Sequence, residues 1–384
     1  MNRFLLSSSI LLILTACATP VTPSATLAPD TLSTATSAVT PEPTAILGTQ
    51  FIASFDGESL SVAPEECNGA YVGLIQSVVA TDAQTVTFTL CRPEPDFLFK
   101  ISLAAFAIYP SEWIEEAAKD GARTNEALDG PIGTGPYVVS EWTRGESLTL
   151  IANGEYWGGM PVSPTALVRW SSDPAARLAE LQAGIVDGID LVRPDDFITA
   201  RSDPFVALLE RPKLRLHELE LIQPLAGLAQ FANEPSGAAY RADVINAQAS
   251  PLGAEMFHLM APGDRPEFIW LQSAEPSSLF CADEAEVASL RICAQVAETL
   301  YRFDLNTATP IPTLAQSCDP NADRTVWVCA LREGVAFHDG SEFDAADVVA
   351  TFDMGLNPAS PFHAGRAGLW EFFQQVWGLM QRPG

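Results

Sequence analysis

Apolar and polar residues alternate strictly in several short stretches of the chain, a pattern typical of strands with one buried face. In residues 84–91, QTVTFTLC, the apolar side chains of Val86, Phe88 and Leu90 share one face, and threonines occupy the other. Residues 79–83 predict a turn and a partner strand. Further strands are predicted at residues 137–142, 147–151, 187–194 and 324–331, the first two forming an antiparallel pair joined at Arg144 and Gly145.

Helical periodicity and capping residues predict helices between these strands. Residues 173–184, DPAARLAELQAG, offer Asp173 as an N-cap, Pro174 in the first turn and Gly184 as the stop. Residues 285–303 carry an apolar stripe that predicts an amphipathic helix.

Two more segments show helix-start signals. Residues 111–122 have glutamates in their first turns, and Asp344 with Asp347 forms the sequence pattern of a capping box before residues 345–352. The signals weaken between residues 213 and 262. Because strands and helices are mixed throughout, we predict an α/β (mixed α+β) fold.

The N-terminus has the pattern of a secretory signal. A short positive start is followed by an apolar run over residues 4–16 that is too short to span a membrane as a mature helix. The run ends in LTAC, which resembles the bacterial lipobox, so residues 1–16 are predicted as a lipoprotein signal peptide and Cys17 as the acylated residue. The alternative is an ordinary signal peptide with a coincidental cysteine. Residues 17–50, rich in Thr, Pro and Ser, are predicted to tether the folded body to the membrane.

Composition narrows the possible partners. The formal net charge of −27, with only 21 Lys and Arg, argues against nucleic acid. With 47% hydrophobic residues, the 384-residue chain can bury a sizeable core despite this charge. Solubility outside the cell is the simplest explanation of the acidic surface.

The six remaining cysteines form an even set, which outside the cytoplasm predicts disulfides. Six cysteines allow 15 connectivities, and proximity favours the pairs Cys67–Cys91, Cys281–Cys293 and Cys318–Cys329. Zinc is the alternative, but the CxxC-type spacing that structural zinc sites use is absent. We therefore expect no metal and no cofactor.

Catalytic patterns are missing from the sequence. It has no GxSxG, HExxH or EF-hand motif, and the glycines around Thr134 lack the lysine and helix start of a phosphate-binding loop. His338 lies beside Asp339, and a turn-stabilising role is favoured over catalysis. We expect a protein that is not an enzyme, without catalytic residues. An extracellular hydrolase would need a nucleophile and base pair that the sequence does not show.

Seven segments together resemble a known family, the extracytoplasmic solute-binding proteins of ABC importers, specifically the peptide/nickel-binding family 5. They include GTGPY, NGEYWGGMP and FHDG and cover about two fifths of the chain. The resemblance implies a large lobe of the type II periplasmic-binding-protein fold. The matching segments are residues 78–98, 131–150, 153–161, 172–196, 275–304, 310–353 and 357–361.

The order of these segments differs from the family, in which the helix resembling 285–303 and the FHDG strand-turn-helix come first and the segment resembling 78–161 follows. Residue 384 would lead back into residues 48–78, so we predict a circular permutation, with a fusion of two partial copies as the alternative. Residues 51–212 and 263–384 are expected to build one lobe. Residues 213–262 are expected to be a weakly defined connection in place of a largely absent second lobe.

The resemblance also implies a function. It predicts a monomeric binding component that captures a small molecule or peptide for an ABC permease and its ATPase, outside the cytoplasm and anchored through Cys17. The segment Gln272, Ser273, Ala274 and Glu275 is the predicted ligand-facing site, with a role at the core edge left open. The alternative function is a truncated, non-transporting surface lipoprotein with a structural or interaction role.

Overall fold

The computed structural model describes residues 52–54, 59–61, 67, 73–119, 130–211, 236–263, 265–357, 360–363, 370 and 372–378. The predicted signal peptide, Cys17 and the tether lie outside these residues. Elements are numbered in chain order. The described part contains strands and helices mixed along the chain, so the predicted α/β class is confirmed.

One sheet is antiparallel and joins the early and late parts of the chain. In its middle, β4 pairs with β15, placing Phe88 opposite Trp327 and Val86 opposite Cys329. The strands in spatial order are β1 (Ile52–Ser54), β2 (Ser59–Ser61), β3 (Ile75–Asp82), β4 (Thr85–Leu90), β15 (Val326–Leu331) and β14 (Ala315–Pro320).

The alternation that predicts β4 matches its burial. Val86, Phe88 and Leu90 are buried, and the threonines between them are partly exposed. Phe88 packs edge-on against Phe97 and Phe352, with ring centroids 5.1 and 5.2 Å apart. The buried face of this sheet therefore packs against aromatic side chains from two helices, one early and one late in the chain.

A second sheet has three parallel strands at its centre. Strand β11 pairs in parallel with β7 on one side and β8 on the other, and every other pairing in this sheet is antiparallel. Its strands in spatial order are β5 (Tyr137–Thr143), β6 (Ser147–Ala152), β7 (Thr165–Trp170), β11 (Glu267–Gln272), β8 (Gly188–Val192), β10 (Gly237–Arg241) and β9 (Val206–Glu210). A two-stranded ribbon pairs β12 (Tyr301–Phe303) with β13 (Pro310–Pro312).

Two helices begin at the predicted caps, Asp173 and Asp344. Asp173 accepts hydrogen bonds from the first turn of its helix, and Asp344 with Asp347 forms a complete capping box. The helices are α1 (Phe97–Ile101), α2 (Ser111–Lys119), α3 (Pro174–Gln182), α4 (Phe197–Ser202), α5 (Val287–Val296) and α6 (Ala345–Leu356). Short helical turns lie at Ala104–Phe106, Pro194–Asp196, Phe257–Leu259, Cys281–Asp283, Pro361–His363 and Phe373–Trp377.

The predicted helix over residues 285–303 is wrong at its C-terminal end. Helix α5 stops at Val296, and Tyr301–Phe303 form β12. The carbonyl of Val296 accepts a hydrogen bond of 2.9 Å from the backbone N–H of Gly135, and Ala297 is extended. A tertiary contact thus occupies the carbonyl oxygen that would accept a hydrogen bond in a further helical turn.

Residues 236–262 contribute to the second sheet and its core, although the sequence signals there are weak. Strand β10 lies between β8 and β9, and Tyr240, Phe257 and Met260 are buried. The small residues of the strand, GAAYR, give little alternation to recognise. Residues 212–235 lie outside the described part.

The structure joins the same three cysteine pairs that proximity favours: Cys67–Cys91, Cys281–Cys293 and Cys318–Cys329. The last pair links directly opposite residues of β14 and β15. Among the described residues, no helix has the length and apolar character to cross a bilayer. The same residues contain no cluster of three or more His, Cys, Asp or Glu side chains placed to hold a metal ion.

Candidate functional site

The three parallel strands end at one edge of the second sheet. Strands β7, β11 and β8 finish at Trp170, Gln272 and Val192, and the N–H of Ser171 donates a 2.9 Å hydrogen bond to the carbonyl of Gln272. In open α/β sheets, ligands bind in the crevice outside the carboxyl ends of the strands. The predicted site segment therefore begins at the edge where the topology favours a ligand.

Gln272 itself faces inward. It is fully buried, and its amide nitrogen donates to the carbonyls of Ala274 and Ala288 at 2.8 and 3.2 Å. Its side-chain oxygen accepts a hydrogen bond from Arg291 at 3.2 Å. Gln272 shapes the turn that follows β11 from inside the body, so its contacts fit the core-edge role.

The next three residues reach the surface. Ala274 is exposed, whereas Ser273 and Glu275 are partly buried. The hydroxyl of Ser273 donates to Oδ2 of Asp190, which lies on β8, at 3.3 Å. The structure brings these residues together at the sheet edge, with Asp190 directly behind Ser273.

Glu275 fastens the β5–β6 hairpin to this edge. Its Oε1 accepts hydrogen bonds from the indole N–H of Trp142 at 3.2 Å and the backbone N–H of Gly145 at 3.1 Å. The guanidinium of Arg144 lies over the Trp142 ring, 3.4 Å from its centroid, and donates to the carbonyls of Pro276 and Ser277. The Glu275 carboxylate is therefore already occupied by hydrogen bonds within the protein.

A buried ionic network supports the segment from behind. Arg291 on α5 donates from Nη1 to Asp190 at 3.0 Å and from Nε to Glu255 at 2.9 Å. Arg177 on α3 lies 3.6 Å from the other oxygen of Asp190, and Arg211 donates to Glu255. All five side chains are at least nine-tenths buried.

Electrostatics keeps the central pair of this network charged. Burial alone would raise the pKa of Glu255, but Arg211 and Arg291 outweigh burial and hold it below the usual range. Burial would likewise lower the pKa of Arg291, and Glu255 with Asp190 raises it instead. Sequence reasoning missed this network. Its only signals were an acid inside the apolar strand GIDLV and an arginine within the apolar stripe of α5.

A second buried carboxylate, Glu298, organises the glycine and aromatic segments. It accepts hydrogen bonds from Thr134 at 3.0 Å, Tyr156 at 2.9 Å and Trp157 at 2.7 Å. Burial raises the pKa of Glu298 to about 7, against the lowering effect of these three donors. His338 adds to the junction, because its Nε2 lies 3.0 Å from the carbonyl of Gly135.

Known proteins are similar in sequence to part of this chain. Heme-binding protein A of Haemophilus influenzae and the dipeptide-binding protein of Escherichia coli are each 31% identical to this chain over 144 residues, covering 37% of it. The chain spans about a quarter of the length of these relatives, 26% in both cases.

Solved structures give partial matches. HbpA2 from Haemophilus parasuis matches 41% of this chain and 34% of its own, at 27% identity and a TM-score of 0.35. The periplasmic binding protein DppA from Helicobacter pylori, in complex with the peptide STSA, matches 41% of this chain and 32% of its own, at 23% identity and a TM-score of 0.33.

The family model for bacterial extracellular solute-binding proteins, family 5 Middle, matches residues 27–222 and 309–369. These two stretches make up more than half of the chain and include most of both sheets. They contain GTGPY, NGEYWGGMP and FHDG, the segments in which Thr134, Tyr156, Trp157 and His338 lie. The chain therefore belongs to the bacterial extracellular solute-binding proteins, family 5.

Proposed function

We propose that this protein is the substrate-binding component of an ABC import system, which captures small solutes, peptides first among them, and delivers them to a permease served by an ATPase. Proteins of this family are transport binding proteins rather than enzymes. The observation that carries the proposal is the parallel-strand edge, where Ser273, Ala274 and Glu275 follow β11 beside the ends of β7 and β8.

The edge suits a ligand that is held by its backbone. The side chain of Glu275 is committed to the β5–β6 hairpin and that of Gln272 to the core, and Ala274 is exposed without a polar side chain. Backbone groups of residues 273–275 would then supply most of the polar contacts, as in strand addition to peptides. Recognition of this kind tolerates many side chains, which favours peptides of varied sequence.

The proposed location is outside the cytoplasm, with the protein monomeric and anchored through acylated Cys17. Three disulfides in the body suit an oxidising compartment. The tether over residues 18–50 would let the anchored protein meet a permease in the same membrane. Metabolic labelling with a radioactive fatty acid tests the anchor, since wild type should incorporate label and Cys17→Ala should not.

The proposed circular permutation has support in the first sheet region. The N–H of Leu74 donates a 2.7 Å hydrogen bond to the carbonyl of Trp377, so the late segment lies beside the start of β3. Trp377 is buried against Phe97 and Phe106. In the family's order, residues near 377 would precede residues near 74, and the hydrogen bond between Leu74 and Trp377 supports that order.

Calorimetric titration of the purified full-length protein tests ligand capture. Mixed di- to pentapeptides should bind with measurable heat, and sugars and Ni²⁺ serve as competing classes. Ala274→Trp should weaken binding at least tenfold because an indole would cover the sheet edge. Ala322→Trp, on the exposed β14–β15 turn, is the matched control and should bind like wild type. If no ligand of the three classes gives a measurable heat of binding, the non-transporting surface lipoprotein is favoured instead.

A further inference from the structure

Strand β8 contains a β-bulge at the edge where the three parallel strands end. The register of its pairing with β10 shifts there, and Asp190 and Leu191 together stand opposite the single residue Ala238. On its other side, the pairing of β8 with β11 ends at Ile189, one residue before the bulge. A bulge bends a strand and redirects its side chains, and bulges are frequent beside active sites. The bulge therefore determines where Asp190 points, which is toward Ser273.

Leu191 has a backbone conformation that leucine rarely adopts. Its φ is 48°, in the left-handed region, although the residue lies within a strand. A residue with a Cβ is strained there and keeps this conformation only where surrounding contacts hold it; such residues cluster at functional sites. The side chain of Leu191 is partly exposed, so burial of this side chain does not account for the conformation.

Arg177 of helix α3 holds the bulge in place. Its Nη2 donates a hydrogen bond of 3.3 Å to the carbonyl of Leu191. Its Nη1 donates one of 2.6 Å to the carbonyl of Ser171, the first residue after β7. The guanidinium also lies 3.6 Å from the carboxylate of Asp190. One planar cation with donors in a fixed geometry thus joins the ends of β7 and β8.

Two further hydrogen bonds connect the end of β11 to these groups. The N–H of Ser171 donates to the carbonyl of Gln272 at 2.9 Å, and the hydroxyl of Ser273 donates to Asp190 at 3.3 Å. Arg291 donates to the same oxygen of Asp190 at 3.0 Å from inside the body. The ends of all three parallel strands are therefore connected, and the segment that follows β11 starts from a fixed point.

We propose that Arg177, Asp190 and Leu191 are positioning residues for ligand capture: the bulge of β8, held by Arg177, fixes the backbone of residues 273–275 in the conformation that receives a peptide. This inference rests on the proposed function, in which the same backbone supplies most of the polar contacts. A pre-formed edge loses less conformational entropy when the ligand binds, so its order contributes to affinity. Arg177 and Asp190 are 3% and 1% exposed, so both act through Ser273 and its neighbours rather than by contact with the ligand.

Two substitutions of Leu191 separate positioning from packing. Calorimetry measures the affinity of the full-length protein for one peptide, the tightest binder among the di- to pentapeptides. Leu191→Gly keeps the left-handed conformation without strain, so its affinity should stay within threefold of wild type. Leu191→Val keeps an apolar side chain that favours strands, but its β-branch opposes a positive φ, so its affinity should fall at least tenfold. Side-chain packing alone predicts the opposite order, and that order would overturn the proposal.

Arg177→Lys tests the cation that holds the bulge. Lysine keeps the charge beside Asp190 but lacks the planar pair of donors that reaches two carbonyls, so peptide affinity should fall at least fivefold. Arg169→Lys is the matched control and should bind like wild type, because Arg169 contacts α3 through Glu180 at 2.7 Å, away from the strand ends.

Circular dichroism checks that each variant folds. If Leu191→Val does not fold, Leu191→Ala, which has a Cβ without the branch, should still bind at least threefold more weakly than Leu191→Gly. A wild type that binds no peptide would overturn the proposed function and this inference with it. A wild type that binds, with folded variants of equal affinity, would overturn the positioning role alone.

Discussion

Thr134 donates a hydrogen bond of 3.0 Å to Glu298 from 164 positions earlier in the chain. Tyr156 and Trp157 donate to the same carboxylate. One buried acid therefore holds the GTGPY and NGEYWGG segments against the end of helix α5. These segments identify the family and contain no catalytic pair. Their residue types are explained by what they contact, namely a buried acid that needs three donors.

The raised pKa of Glu298 predicts that its ionisation destabilises the fold as the pH rises. Its ordinary pKa is 4.5, and burial raises it to about 7 in the folded protein. Between these values the folded state holds a proton that the unfolded state has lost, so the contribution of Glu298 to stability is full below pH 4.5 and is lost as pH rises through 7. The loss between pH 5 and 8 is about 2–3 kcal/mol.

Glu298→Gln isolates this contribution, because glutamine resembles the protonated acid and does not ionise. Relative to wild type, the variant should gain about 2–3 kcal/mol in free energy of unfolding between pH 5 and 8. Urea denaturation at several pH values measures the difference. Glu284 and Asp347, whose pKa values burial raises to about 7 and about 6, titrate in both proteins and cancel. A constant difference across this range would contradict the assignment.

Gly133 and Gly135 are predicted to tolerate no side chain. A Cβ at Gly133 would lie 2.2 Å from the carbonyl oxygen of Val296, and one at Gly135 would lie 2.6 Å from that of Gln295. Because both obstacles are backbone atoms, either alanine substitution should destabilise the protein by about 2 kcal/mol or more.

Gly154→Ala is the matched control for these substitutions. Its Cβ would meet nothing within 4 Å, and its stability should stay within about 0.5 kcal/mol of wild type. Guanidinium denaturation compares the three variants. Equal losses at all three positions would mean that glycine acts there through backbone freedom rather than close packing.

Much of the fold could be predicted from the sequence, and the remainder depended on contacts between distant residues. Alternation in TVTFTL and the cap at Asp173 are local signals, and the structure matches them. The end of α5 is set by Gly135, more than 150 positions away, so no local pattern could fix it. The network around Arg291 could not be predicted for the same reason, because an isolated charge in an apolar stripe does not indicate which residue it pairs with.

Asp190 should be among the most sensitive charged positions. Asp190→Asn removes the negative charge that lies between Arg291 and Arg177, all three being almost fully buried. Leaving buried arginines without this partner should cost about 3–5 kcal/mol. Asp195→Asn is the control, because its pair with Arg193 is 83% and 56% exposed and should be worth less than about 1 kcal/mol. Similar losses would show that the buried network contributes no more than a surface pair.

The disulfide between Cys318 and Cys329 is predicted to stabilise the edge of the first sheet. It closes a separation of 11 residues, and the chain-entropy model gives about 3 kcal/mol for a loop of this size. The double variant Cys318→Ser, Cys329→Ser should lose about 2–3 kcal/mol in free energy of unfolding. Peptide mapping without reductant checks the connectivity, and any partner of Cys281 other than Cys293 would contradict the pairing.

The contact between Leu74 and Trp377 predicts that the chain can be reconnected in the family's order. A variant that starts at residue 265, runs to residue 384, and continues through residues 51–263 would have the family's order and keep both sheets. Since β4 and β15 pair regardless of which comes first, it should fold with the circular dichroism spectrum of wild type. As a control, the same residues opened between β4 and α1, inside the core-forming segment, should not fold. If neither variant folds, the permutation is contradicted and a fusion of two partial copies is favoured.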